Sequence, residues 1–135
     1  KCGLLPLNQT ALLNGAVAYH DYEGVAVSDE ERVTLARDLG DKSVMILRNH
    51  GVLTTGSSIA EGFTRLFYAT KAAEIQVKTM GVRNDTDHIS FPSTNVQKLV
   101  KERQGFDNAG NSSVAEATFQ MWMRKLNRFN PGYDK

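Results

Sequence analysis

The stretch between Ser58 and Gly81 constrains this chain most. Apolar and small residues recur there at three- and four-residue steps, at Ile59, Phe63, Leu66, Phe67, Thr70, Ala73, Val77 and Met80. Such a period belongs to one face of a helix, here about six turns long at 3.6 residues per turn. Ser58 and Glu61 form a capping-box pattern in which the Ser oxygen accepts from the N3 amide and the Glu reaches back to the cap's own N–H. A helix of this length needs a layer to lie on, so the remaining residues must supply one. The same Ser-x-x-Glu pattern returns at Ser28/Glu31 and Ser113/Glu116. The first predicts a helix to Leu39, with Val33, Ala36 and Leu39 on one stripe and Gly40 as a left-handed stop. The second predicts a helix from Val114 to about Phe129, docking through Phe119, Trp122, Leu126 and Phe129 and ended by Pro131. A shorter helix is expected over Val96 to Arg103.

Strands occupy the gaps. Ala16 to Tyr22 mixes β-branched and aromatic residues with polar alternates, and Gly24 to Val27 continues in kind. Ser43 to Arg48 contains the run Val44-Met45-Ile46-Leu47, which suits a central strand covered on both faces by helices. After Asn49-His50-Gly51, where Gly51 permits a sharp change of direction, Val52 to Thr55 is strand-like again. Asn84 to Asp87 and Asp107 to Asn111 are loop-like. Helices interleaved with short strands imply a layered α/β domain.

At 135 residues and 41% hydrophobic, the chain is the size of one folded domain. A net charge of +1 with scattered basic residues argues against a nucleic-acid binder held by phosphate contacts. The longest apolar run has four residues, whereas a membrane-spanning helix needs about 20. The single Cys2 cannot pair internally, which points to a reducing cytoplasm. The opening Lys1-Cys2-Gly3-Leu4-Leu5-Pro6-Leu7 has no Met and reads like the middle of a protein, so a missing N-terminal part is expected.

Among motifs, the sequence has no His-x-His, His-Glu-x-x-His or Cys-x-x-Cys word, no phosphate-cradling Gly-rich loop and no Gly-x-Ser-x-Gly elbow. His50 stands where an apolar strand ends in a Gly-containing turn, a place that suits either a metal ligand or a turn histidine bonded to nearby backbone. His20, in Tyr19-His20-Asp21-Tyr22, reads either as an Asp-oriented acid or base or as a polar alternate on a half-exposed strand. His88 falls in a polar loop. Glu74 lies within the apolar stripe of the long helix, where burial would demand a partner or a raised pKa. The cluster Arg124, Lys125 and Arg128 reads as a solvated helix end, and Cys2 lacks the cationic surroundings of a reactive thiolate.

Val17-Ala18-Tyr19-His20-Asp21-Tyr22-Glu23-Gly24, then Leu39-Gly40-Asp41-Lys42, then Met45-Ile46-Leu47-Arg48-Asn49-His50-Gly51 closely resemble, in this order, the class II aldolase/adducin family. Cys2 to Leu7 and Ala73-Glu74-Ile75-Gln76-Val77 fit the same pattern, so the likeness covers roughly residues 2 to 80. The ending from Trp122 to Tyr133 looks like that of the microbial, aldolase-like members. The resemblance implies a three-layer α/β/α domain with a mixed, largely antiparallel sheet, assembled in the enzymes as a homotetramer. It also implies a divalent metal, usually zinc, held by three histidines: two from a His-x-His word and one from an Asn/His-His-Gly word, here Asn49-His50-Gly51. The resemblance therefore favours His50 as a metal ligand.

The His-x-His pair, the phosphate-binding loops and the catalytic carboxylate belong to the first half of such a domain, which these residues do not contain, so no catalytic residue is assigned. The implied chemistry is aldol cleavage or epimerisation of a small sugar phosphate, or a related decarboxylation, with the metal as Lewis acid. The alternative within the same resemblance is an adducin-like scaffold that binds actin and spectrin without catalysis, since fold alone does not fix function.

Overall fold

β-branched and apolar residues build a short three-stranded sheet from β1 (Val17–His20), β2 (Val44–Leu47) and β3 (Gly51–Thr54), in that spatial order. The structure, a computed structural model, describes residues 3–24, 29–81, 86–106 and 112–133. β1 and β2 run parallel, with His20 opposite Leu47, and β2 and β3 pair antiparallel, with Leu47 opposite Gly51. The sheet is mixed, and its two described ladders are one of each kind. β2 is central, as its apolar run predicts. Successive strand residues face opposite sides of a sheet, and Val44 and Met45 are both fully buried, so both faces are covered at that end of the strand. Of the predicted extension of the first strand over Gly24 to Val27, residues 25–27 lie outside the described set.

The parallel pair needs a crossover, and α2 (Asp29–Leu39) supplies it, lying against β1. Ser28, the predicted cap of α2, lies outside the described residues. Gly40 follows the helix at φ +56°, the left-handed stop that the sequence predicts. The inward face of α2 differs from the expected one. Val33 is 69% exposed and Ala36 is exposed, while Leu39, the third residue of the expected stripe, is partly covered together with Glu31, Thr34, Leu35 and Asp38. Polar residues thus share the covered side with two leucines, because what they approach is a polar strand end.

α3 (Ile59–Met80) matches the long predicted helix, and its N-terminus is capped by Ser58, whose side chain accepts from the Glu61 amide at 3.2 Å. The return arm of the box differs: the Glu61 carboxylate accepts from the Ser57 amide and hydroxyl, each at 2.9 Å, and not from the Ser58 amide. The packed face also differs from the expected stripe. Ala60, Thr64, Arg65, Ala69 and Ala72 are buried, whereas Ile59 is 81% exposed and Leu66, Thr70 and Val77 are exposed. Small side chains let the helix come close to its neighbours, so they take the inner face and leave larger ones outside. Arg65 is buried because its guanidinium donates to the carbonyls of Thr55 at 2.6 Å and Phe106 at 2.9 Å, closing the ends of two loops.

α4 (Thr94–Gln104) extends the predicted short helix by two residues at its start, behind a Ser93 cap. α5 (Ser112–Phe129) begins one residue ahead of the predicted cap Ser113, and Glu116 accepts from Gln120 further along the helix. Its aromatic face docks over only half its length. Phe119 and Trp122 pack edge-on against Phe63, and Trp122 also meets Phe67, but Leu126 and Phe129 stay exposed. A short helix, α1 (Gln9–Leu13), has no counterpart in the sequence reading. Asn8 caps it through its side chain, and α1 packs on α3 and α4. Gln76 fastens the segment before α1, donating to the Gly3 carbonyl at 2.9 Å and accepting from the Leu5 amide at 2.6 Å.

Candidate functional site

The carboxyl ends of parallel strands are where open α/β sheets place ligands. Here the ends of β1 and β2 carry His20 and Leu47, and the turn that follows carries His50. A cavity of about 70 Å³ opens between them, lined by His20, Tyr22, Glu31, Leu47, Arg48 and His50 among others. A wider groove of about 540 Å³ lies between the N-terminal segment and α4, but its lining of Leu, Pro, Ala and Val with two lysines brings no acid–base pair together.

His20 is only 3% exposed, which overturns the reading of a polar alternate on a half-exposed strand. Its orienting carboxylate also differs from the adjacent Asp21. The His20 ring bonds through Nδ1 to Asp38 Oδ2 on α2 at 2.9 Å, and Asp21 turns instead to the Arg48 guanidinium at 2.9 Å. A strand places neighbours on opposite faces, so the residue next to His20 in sequence cannot be its partner, and the crossover helix provides one. Asp38 is held below the ordinary aspartate range, chiefly by the hydrogen bond from Arg37 Nε and next by His20. The far ring nitrogen of His20, Nε2, is buried without a partner among the described residues.

His50 sits at the tip of the β2–β3 hairpin, exposed, with its amide donating to the Leu47 carbonyl at 3.1 Å. The left-handed position of the turn falls on Asn49, at φ +60°, and not on Gly51, which opens β3. Asn is among the few non-glycine residues that adopt this conformation readily. The turn is tied to β1 by the Arg48 amide, which donates to the His20 carbonyl at 2.9 Å. Arg48 also lies over the Tyr19 ring, 5.0 Å from its centroid, and the Tyr19 hydroxyl accepts from the Leu4 amide at 2.7 Å.

Glu74 is not a buried acid. It accepts from Lys71 and Lys78, each at 2.7 Å, on an open helix surface, and these bonds pull its pKa down to about 2 instead of up. His88 is exposed near Ile75 and Thr79, away from the cavity. Arg124, Lys125 and Arg128 are exposed at the end of α5, with Lys125 Nζ 4.7 Å from the Trp122 ring centroid. Cys2 lies outside the described residues. Asp38 is not singled out by the sequence; its only signal is the covered face Glu31, Thr34, Leu35 and Asp38, which the Val33-Ala36-Leu39 stripe does not follow.

The fold agrees with what comparison shows. Residues 1–77 match the class II aldolase and adducin N-terminal domain, and the chain belongs to that family. The crystal structure of an aldolase II superfamily protein from Pseudomonas syringae superposes with a TM-score of 0.85 at 38% identity, over 98% of this chain and 52% of that one. Alpha-adducin from Rattus norvegicus is 39% identical over 98% of this chain, which spans 19% of that protein. A Pseudomonas aeruginosa protein provisionally named a class 2 aldolase is also 39% identical, again over 98% of this chain and 51% of its own length. The chain thus spans between about a fifth and about half of the length of these curated relatives. L-fuculose 1-phosphate aldolase from Glaciozyma antarctica shares the fold, with a TM-score of 0.69 at 21% identity over 94% of this chain and 46% of that one.

Proposed function

We propose that this chain forms one wall of a metal-dependent, class II aldolase-like lyase or epimerase site acting on a small sugar phosphate or related hydroxy-carbonyl compound. The observation that carries this reading is the placing of His50: an exposed imidazole on a rigid turn, beside a cavity at the strand ends. Imidazole suits zinc or a comparable divalent metal, and His50 is the residue that would hold it. Among the described residues no three or more His, Cys, Asp or Glu side chains gather closely enough to bind a metal ion, so the remaining ligands would come from elsewhere in the native protein. When bound, the metal supplies Lewis-acid polarisation of a substrate carbonyl.

The chain's own residues shape the rest. The Arg48 amide bond to β1 fixes the base of the turn, and Leu35 and Leu47 give the cavity apolar walls. Exposed Ile59, Val77, Leu126 and Phe129 offer apolar surface that supports assembly into a homo-oligomer, a tetramer by the family resemblance. We place the protein in the cytoplasm. No helix among the described residues is long and apolar enough to cross a membrane. The test is His50→Ala in the full-length native protein. Metal content by elemental analysis and turnover of sugar phosphates should both be lost while the circular dichroism stays native. Retention of metal and activity would contradict the reading.

A second reading has its own support in the likeness to alpha-adducin over nearly the whole chain: an actin- and spectrin-binding scaffold without catalysis. Co-sedimentation with filamentous actin, unaffected by His50→Ala, would favour it over the enzyme.

A further inference from the structure

We draw no further inference here: the strongest candidate, the groove of about 540 Å³ between the N-terminal segment and α4, sets apolar walls against Lys98 and Lys101, and nothing in the structure shows what covers it.

Discussion

The sheet end and the paired helices α3 and α5 dispose of their residues in opposite ways. At the sheet end, polar groups are buried and held: His20 against Asp38 and the Arg48 amide against β1. Along α3 and α5, apolar groups are left outside, with Phe129 76% exposed and Ile59 81% exposed, while alanines line the inner side of α3. The first region holds one geometry, and the second leaves uncovered the apolar surface that the proposed assembly would use. Chemistry belongs where polar groups are buried at the expense of stability, and association belongs where apolar surface is left uncovered.

The largest effect that should sharpen this contrast comes from truncating the buried part of the central strand that leads to the His50 turn. Met45 is fully buried, and Met45→Ala should cost about 2–5 kcal/mol in a urea melt. Ile59→Ala, a comparable truncation on α3, should stay within about 0.5 kcal/mol, because that side chain is already in water. Equal losses at both positions would erase the distinction. Next in size is the turn that carries His50. Asn49→Val puts a β-branched side chain at φ +60° and should cost roughly 1–2 kcal/mol, while Asn49→Gly should be neutral or nearly so by the same melt.

What the sequence made legible divides along the same line. The strand order around Val44 to Leu47, the cap at Ser58, the stop at Gly40 and the His50 turn could all be read, since each rests on local chemistry. The packed faces of α2 and α3 could be read only in part, for Phe63 and Phe67 do pack on α5 while the rest of the inner face of α3 is small or polar. Periodicity picks out the largest apolar residues, whereas α3 buries Ala60, Thr64, Ala69 and Ala72 and α2 turns Asp38 inward. The partner of His20 depends on how the crossover helix lies on β1, which no local pattern records. Helix α1 escaped because five residues are too few for a period to show, although Asn8 ahead of it and Gly15 behind mark its limits.

Smaller again is the response to acid. Asp38, Glu61 and Glu74 are all held below their ordinary values: Asp38 by Arg37 and His20, Glu61 by Ser57 and Ser112, and Glu74 by Lys71 and Lys78. A carboxyl whose folded pKa is depressed contributes stability that is fully present above its unfolded value, about 4. That contribution is lost as pH falls through the folded value, which for Glu74 is about 2. The urea midpoint should therefore decline below about pH 4. Asp38→Asn should flatten the decline by disturbing the sheet end, and Glu74→Gln should flatten it least, because its lysine pairs are exposed and screened by salt.

In the proposed site the His50 imidazole binds a divalent metal at this sheet end. Anomalous scattering at the zinc edge, from crystals of the full-length native protein grown with zinc, tests it most directly. A single strong peak should stand about 2.0–2.1 Å from a His50 ring nitrogen, the usual zinc–imidazole distance. A fully occupied zinc held elsewhere, with the His50 ring pointing away from it, would rule His50 out as the ligand.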